Sequence, residues 1–198
     1  MINYKEFLQW IDVEQFATAC NNISNSQGAK VLNEHSNRML KEKFILGALR
    51  LANHKKNIQW VDTIDYDLTF DSWHGATIEV KTGDGPMFTT KQGLLKENIE
   101  VKLKNIYESK ENTRTTLDKT FDHLMIIQNS GTFAIGFVPY SIASEHLVQL
   151  TDGWKARIPS DKVNIIYTKD MRNELVNWDF NLDPKEWVLD TLSKVCYK

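Results

Sequence analysis

The chain has 198 residues, and its 24 Lys plus Arg against 26 Asp plus Glu give a formal net charge of −2. This length predicts a single domain, residues 1–198, that is large enough to bury a sizeable core. A hydrophobic content of 41% and a charged content of 25% exclude disordered, collagen-like and coiled-coil chains. No window approaches the run of about 18 apolar residues that a membrane span needs, and the first ten residues are too polar for a signal peptide. We therefore expect a cytoplasmic protein.

Cysteine usage and nucleotide motifs narrow the chemistry further. Cys20 and Cys196 lie near opposite ends of the chain, and neither belongs to a Cys-x-x-Cys pair. This argues against a disulfide framework or a cysteine zinc site. The sequence has neither a P-loop nor a dinucleotide-binding fingerprint, so ATP-driven chemistry is not expected. The near-neutral charge is not typical of a dedicated DNA-binding module, but acidic surface elsewhere can offset one basic cleft.

The N-terminal quarter combines a polar stretch with a helical pattern. Residues 21–30 (NNISNSQGAK) are polar and turn-prone, which predicts a loop or a mobile arm. From Val31 to Asn53 apolar residues recur at three- and four-residue spacing, which predicts an amphipathic helix, continuous or broken.

The hydrophobic period changes to two between Trp60 and Thr82. Apolar and polar residues alternate over Ile64–Asp71, which predicts a strand with one apolar and one acidic face. A turn at Ser72–Gly75 leads to a second alternating segment, Thr77–Lys81. We therefore expect a β-hairpin whose ionisable residues share one face of the sheet.

The remaining elements follow in chain order. They are a basic helix from Thr89 or Thr90 to about Glu108, a hairpin over His123–Val138 with its turn at Asn129–Gly131, a helix over Pro139–Leu147, a strand over Val163–Tyr167, and a C-terminal helix opened by Asp183-Pro184. This order predicts an α/β (α+β) fold with a central mixed β-sheet flanked by helices.

Two acidic residues and a lysine of the first hairpin form a candidate metal site. Asp67 and Glu79 share the alternation parity, and facing positions would bring their Cβ atoms to about 4.5–5.5 Å. Two carboxylates at that distance repel each other unless a cation or a proton intervenes. Mg²⁺ suits them because it takes one or two carboxylates together with waters and substrate phosphate. Lys81 points to the same face and could hold an attacking water or a phosphate oxygen.

The hairpin resembles the PD-(D/E)XK nuclease superfamily, to which many type II restriction endonucleases belong. The resemblance rests on Ile64–Phe70 (IDYDLTF) and Ile78–Gly83 (IEVKTG), an acidic strand followed by an acidic-x-Lys triplet in the next strand. It implies a restriction-endonuclease-like fold and a Mg²⁺-dependent hydrolysis of phosphodiester bonds in double-stranded DNA. A small type II enzyme would act as a homodimer on a palindromic site, with a companion DNA methyltransferase acting on the same site.

The family's mechanism assigns a role to each matching position. It implies that Asp67, Glu79 and the main-chain carbonyl of Val80 hold Mg²⁺. Lys81 would then orient or help deprotonate the attacking water and stabilise the developing charge.

Two parts of this assignment stay open. No proline precedes Asp65 or Asp67, so Asp65 is the alternative to Asp67 as the first metal ligand. Many family members add a carboxylate from the preceding helix, for which Glu42 is the first candidate and Glu34 the second. The alternative for Glu42 is an ordinary surface charge.

Three other acidic-x-Lys triplets begin at Glu100, Glu108 and Asp183. The first of them, Glu100-Val101-Lys102, falls in the predicted basic helix, where its charges would form a solvated face. The other two lack an acidic strand before them. The hairpin context therefore favours the triplet at Glu79.

Two segments are candidates for DNA contact. Lys91 and Gln92 follow the hairpin and could reach phosphate or base edges. Trp154, Lys155 and Arg157 place an aromatic residue among basic groups. A solvated helix face and a core-edge tryptophan with a snorkelling lysine are the alternatives.

Two other functions remain possible from the sequence. One is another nuclease of the same superfamily, such as a junction resolvase, a repair nicking enzyme or a phage DNase. The other is a non-catalytic DNA-binding protein whose acidic hairpin is a degenerate site.

Overall fold

The computed structural model describes residues 2–25, 45–50, 52–53, 58–61, 66–83, 87–90, 94–105, 121–150 and 153–174. Its strands are β1 Ile58–Trp60, β2 Leu68–Phe70, β3 Ala76–Gly83, β4 Asn98–Asn105, β5 His123–Ser130, β6 Thr132–Pro139, β7 Leu147–Leu150, β8 Gly153–Pro159 and β9 Asn164–Asp170. Its helices are α1 Val13–Asn25, α2 at residues 45–50 and α3 Tyr140–Glu145, preceded by a 3₁₀ turn at Tyr4–Gln9.

Six strands form the central sheet, in the order β1-β2-β3-β5-β6-β9. The β3–β5 pair is parallel and the other neighbours are antiparallel, so the sheet is mixed. A smaller antiparallel sheet has the order β4-β8-β7. This confirms the predicted α+β class with a central mixed sheet. No helix within the described ranges combines the length and the apolar character that crossing a bilayer requires.

The central sheet separates two hydrophobic cores. On one face, α1, α2 and the 3₁₀ turn pack against alternate residues of the strands, including Ile78, Val80 and Met125. On the other face, the small sheet and α3 pack against Leu124, Ile126 and their neighbours. The sheet is therefore covered on both sides, which explains why β5 is buried along almost its whole length.

Both predicted hairpins are present. In the first, Leu68 pairs with Ile78 and Phe70 with Ala76, and the turn between them places His74 and Gly75 at positive φ. In the second, β5 and β6 pair along their full length, and Gly131 supplies the positive φ that the tight turn needs. The predicted helix after Pro139 and the strand near Val163 are present as α3 and β9.

The predicted helix from Thr89 to Glu108 is wrong, because Asn98–Asn105 form strand β4. Leu95, Ile99 and Leu103 do follow a four-residue spacing. Ile99 and Val101, however, also follow a two-residue alternation with Glu100 and Lys102. Pairing with β8 fixes this second pattern and buries Ile99 and Val101 in the core.

Residues 21–25 do not form the predicted loop, because α1 continues to Asn25. The inward side chains Cys20 and Ile23 are buried in this part of the helix. Asn129 donates one hydrogen bond to the Cys20 carbonyl and another to Ser24 Oγ, each at 2.6 Å. These bonds hold the polar end of α1 against the sheet, a long-range contact that composition alone does not reveal.

The described residues test the other predicted elements only in part. Strands β7 and β8 were not predicted, although β8 contains the segment with Trp154, Lys155 and Arg157. Of the helix predicted over Val31–Asn53, residues 45–50 are helical and 31–44 lie outside the described residues. The C-terminal helix predicted after Asp183 lies outside them as well.

Candidate functional site

Hydrogen bonds bring Asp67 beside Ile78 and Val80 of β3. Leu68 pairs with Ile78, and this is the last regular pair of the β2–β3 ladder on the side of Asp67. Asp67 N–H also donates to the Ile78 carbonyl at 3.0 Å, so Asp67 and Leu68 both lie against Ile78 and the regular pairing ends there. Ile78 and Val80 point into the core, so Glu79, which lies between them, points to the opposite face.

The Asp67 carboxylate lies at the edge of β3. Its Oδ2 accepts a hydrogen bond from the Val80 N–H at 2.7 Å, which fixes the orientation of the carboxylate. The N–H and C=O groups of one strand residue point to the same edge of the strand, so the Val80 carbonyl faces the same side as Asp67. The Asp67 carboxylate and the Val80 carbonyl thus lie at the same edge of β3, at the residue next to Glu79.

Glu79 and Lys81 form an ion pair between Glu79 Oε1 and Lys81 Nζ. Their side chains are only 13% and 24% exposed, respectively. With Asp67 and Glu79 ionised and Lys81 protonated, the three groups carry one net negative charge. This charge and the partial burial favour a bound cation over an unliganded carboxylate pair.

The strands beside the site supply an apolar floor. Glu79 continues across the sheet to Leu124 and Val138, and Lys81 continues to Ile126 and Gly136. Leu124, Ile126 and Val138 are fully buried. The three polar groups therefore lie at the border between a dry core and the surface, where electrostatic interactions are stronger than in open water.

The donor set fits Mg²⁺. Within the described ranges, no three His, Cys, Asp or Glu side chains come together as a metal cluster. Such a cluster is not required, because Mg²⁺ is bound through one or two carboxylates and completes its shell with water and substrate phosphate. Asp67, Glu79 and the Val80 carbonyl offer hard oxygen donors of that kind. Asp65 and Glu42 lie outside the described residues, as does Glu34.

Of the predicted DNA-contact residues, the three on β8 fall within the described residues, and these three do not share one face. Along β8, Trp154 shares its parity with the buried Ala156 and Ile158, whereas Lys155 and Arg157 point to the outer face. The tryptophan is therefore not interleaved with the two cations. Lys91 and Gln92 lie outside the described residues. DNA contact by Lys155 and Arg157 stays a prediction.

Glu100 is the anionic partner of Lys155 and Arg157. Lys155 Nζ lies 3.0 Å from Glu100 Oε2, and Arg157 Nε lies 3.6 Å from Oε1. The hydrogen bond from Lys155 is the main reason that the pKa of Glu100 is lowered, and the charges of Lys155, Arg157 and Lys96 contribute. The second Glu-Val-Lys triplet is thus on a strand, but among cations rather than beside a carboxylate.

Gln128 is a residue of this region that the sequence reasoning missed. Its side chain is fully buried, and its Oε1 accepts from the Phe88 and Thr89 N–H groups at 2.7 and 3.1 Å. Gln128 pairs with Gly83 across the parallel strands, so it projects from the same face as Glu79 and Lys81. A glutamine inside the apolar run HLMIIQN was the available signal.

A separate cavity of about 460 Å³ lies at the amino end of β3. Trp73, His74, Asp122, His123 and Tyr140 contribute to its lining. Asp122 Oδ2 is already occupied by the N–H and hydroxyl groups of Thr77, each at 3.0 Å. The cavity is at the opposite end of β3 from Lys81 and shares no lining residue with the candidate site.

Comparisons with known proteins show a similarity in structure. No protein-family model matches this chain, and no curated protein matches it. A solved structure described as a restriction endonuclease in complex with substrate DNA is similar over 96% of this chain and 94% of that chain. The sequence identity is 13% and the TM-score is 0.49. A similarity with so low an identity and TM-score supports no argument about function, so the functional proposal rests on the geometry of the hairpin.

Proposed function

We propose that this protein is a Mg²⁺-dependent DNA endonuclease of the PD-(D/E)XK type. The supporting observation is the Asp67 carboxylate, which accepts from the Val80 N–H between the ion-paired Glu79 and Lys81. A hard cation site beside a lysine suits a reaction in which negative charge develops on a phosphate. An ion pair that only stabilises the fold would not need a second carboxylate beside it.

Each residue has a distinct task in this proposal. Asp67 and Glu79, with the Val80 carbonyl, hold Mg²⁺, which supplies the charge that polarises the scissile phosphate and makes water more acidic. The Val80 N–H keeps the Asp67 carboxylate in place through its 2.7 Å hydrogen bond. Lys81 orients the attacking water and stabilises the charge that forms on the phosphate.

We further propose a type II restriction enzyme as the specific activity. Its substrate is palindromic double-stranded DNA, which a two-fold homodimer matches in symmetry. A companion methyltransferase would protect the same site. A junction resolvase, a repair nicking enzyme or a phage DNase uses the same chemistry on branched, mismatched or arbitrary DNA, so substrate preference separates these possibilities.

The first test compares two lysines from identical tripeptides. Glu79-Val80-Lys81 and Glu100-Val101-Lys102 both lie on strands, and in the described structure an aspartate carboxylate accepts from the valine N–H of the first triplet. Lys81→Ala should lower the rate of Mg²⁺-dependent DNA cleavage at least about 100-fold, as expected for loss of a group that acts on the transferred proton or charge. Lys102→Ala should change it by no more than a few-fold. Cleavage of unmethylated plasmid and phage DNA is measured on gels, with Mg²⁺ and with EDTA.

The band pattern and the control decide between the alternatives. Discrete Mg²⁺-dependent fragments support a restriction enzyme, whereas a smear or selective cutting of branched DNA supports another nuclease of this type. Equal activity in the Lys81→Ala variant would contradict the assigned role. Intact DNA in every lane, on duplex, branched and single-stranded substrates, would leave the non-catalytic binding protein as the better explanation.

A further inference from the structure

Leu94 and Leu95 are the most exposed large hydrophobic side chains among the described residues, at 70% and 57%. They are adjacent in the turn that joins the end of the hairpin to β4. We call residues 88–90 and 94–96 the leucine turn. A single exposed leucine is common on protein surfaces, but two in succession suggest a contact.

Backbone hydrogen bonds hold the leucine turn in shape. Thr90 N–H donates to the Leu94 carbonyl at 2.7 Å, and Lys96 N–H donates to the Phe88 carbonyl at 2.8 Å. A β-bridge joins Thr89 to Leu95, and the Thr90 hydroxyl accepts from Leu94 N–H at 3.3 Å. The two leucines are therefore presented on a fixed backbone, which lowers the conformational entropy lost when they are buried.

The leucine turn stands on the same sheet face as the candidate active site. Buried Gln128 accepts from the N–H groups of Phe88 and Thr89 and donates from Nε2 to Thr89 Oγ1 at 3.0 Å. The Phe88 ring lies over Gly136, where a Cβ atom would come within 2.8 Å of the ring. Gly136 is two strands from Lys81 in the same row across the sheet, a separation of about 10 Å.

The charges beside the leucine turn favour a polyanion as its partner. Lys96 ends the turn, and Lys155 and Arg157 of β8 form ion pairs with Glu100 of β4, the strand that follows the turn. A two-fold contact between copies of the chain would bring the same cations together, because both subunits use one surface patch. DNA offers apolar bases between negatively charged phosphates and meets both requirements.

We propose that Leu94 and Leu95 insert against the bases of DNA bound at the Asp67, Glu79 and Lys81 site. This inference rests on the proposed function and adds a way in which the protein deforms its substrate. Apolar side chains that wedge between base steps unstack them partly and kink the duplex.

The test uses duplexes in which 2-aminopurine replaces adenine, because the fluorescence of this base rises when it is unstacked. Ca²⁺ replaces Mg²⁺ so that binding is measured on intact DNA, which a gel verifies. Wild type should bind and raise the fluorescence. Leu94→Ala/Leu95→Ala should lose the rise and bind about tenfold more weakly. Leu94→Met/Leu95→Met should keep the rise, since the side chains remain apolar.

The matched control is Ile2→Ala. Ile2 is 36% exposed and lies near Ala76 and Pro139, at the opposite end of β3 from Lys81. This variant should bind DNA and raise the fluorescence like wild type. Melting temperatures of all variants exclude unfolding as a cause.

The failures of the two proposals are distinguishable. If wild type binds no DNA, the proposed function fails and this inference fails with it. If wild type binds DNA without a fluorescence rise, or the alanine variant keeps the rise, the inference is overturned while the nuclease proposal stands. Sedimentation provides a further outcome: an alanine variant that turns a wild-type dimer into a monomer would assign the leucines to a second copy instead.

Discussion

The candidate site depends on residues whose identity is visible in the sequence and whose grouping is not. Glu79-Val80-Lys81 and Glu100-Val101-Lys102 are the same tripeptide, and both lie on strands. Glu79 lies next to Val80, whose N–H binds the Asp67 carboxylate, whereas Glu100 forms ion pairs with Lys155 and Arg157 and has a lowered pKa. The neighbours, rather than the triplet, determine whether the carboxylate attracts a metal ion or neutralises a basic patch.

The choice between Asp65 and Asp67 leads to a residue-scale prediction. The Asp67 carboxylate lies at the Val80 N–H, next to Glu79, so Asp67→Asn should abolish stabilisation by Mg²⁺ and Asp65→Asn should retain it. At Mg²⁺ ten times its Kd, the wild-type Tm should rise by roughly 3–6 °C relative to EDTA. Thermal unfolding with each metal concentration measures the difference. A Mg²⁺ response that survives Asp67→Asn but not Asp65→Asn would transfer the ligand role to Asp65.

At the scale of elements, the close approach of β6 to the leucine turn determines where the turn stands. Gly136 has no side chain, and this allows the Phe88 ring and Val163 to pack directly on the strand. A Cβ atom at position 136 would lie 2.8 Å from Phe88 Cζ and 3.0 Å from Val163 Cγ1. Both neighbours are buried, so neither has open space to move into. The glycine is therefore required by packing rather than by its backbone conformation.

Substitution at this contact gives an element-scale prediction. Gly136→Ala should lower the free energy of unfolding by about 1–3 kcal/mol, the usual effect of overpacking a core. Phe88→Leu should restore part of the loss in the double variant, because it removes the ring atoms that clash. Urea unfolding of the two single variants and the double variant measures this coupling. If the two losses simply add, the Phe88 ring is not the group that clashes with the added methyl.

At the scale of the whole molecule, ion pairs join elements that are distant in sequence. Lys169 of β9 binds Glu14 of α1 at 2.7 Å, and Tyr167 also donates to Glu14. The pKa of Glu14 is lowered by these contacts, with the Lys169 hydrogen bond as the largest cause. Arg172 likewise lowers the pKa of Asp170 to about 2. The contacts of Glu14 with Tyr167 and Lys169 link α1 to β9 of the central sheet.

These lowered pKa values predict the direction of acid sensitivity. The unfolded chain binds more protons than the folded one, so the contribution to stability is complete above pH 4.5, the ordinary value for Glu, and falls as pH drops through the folded pKa. Glu14→Gln should lower Tm by roughly 1–3 °C at pH 7, with the difference vanishing in acid. Glu145→Gln, at an exposed position of α3, is the charge-matched control. A Tm difference that stays constant down to pH 2 would show that the Glu14 contact does not depend on its charge.

The sequence by itself determined the local features of this protein. Alternation of apolar and polar residues predicted both hairpins, because side chains of a strand point to opposite faces with a period of two. It also placed Asp67, Glu79 and Lys81 on one face. The interpretation of residues 89–108 as a helix was wrong. Ile99 and Leu103 fit a spacing of four, and together with Val101 they also fit a period of two. Pairing with β8, a segment more than 50 residues later, resolved that ambiguity.

The tertiary structure alone decided what surrounds those residues. The position of Asp67 at the Val80 N–H depends on the register of two strands, and a shift by one residue would turn the side chains to the other face. The Gln128 anchor of the leucine turn and the cations around Glu100 join segments that are 40 to 57 residues apart. Contacts of that kind leave no period in the sequence, because they depend on how the sheets pack rather than on how each strand alternates.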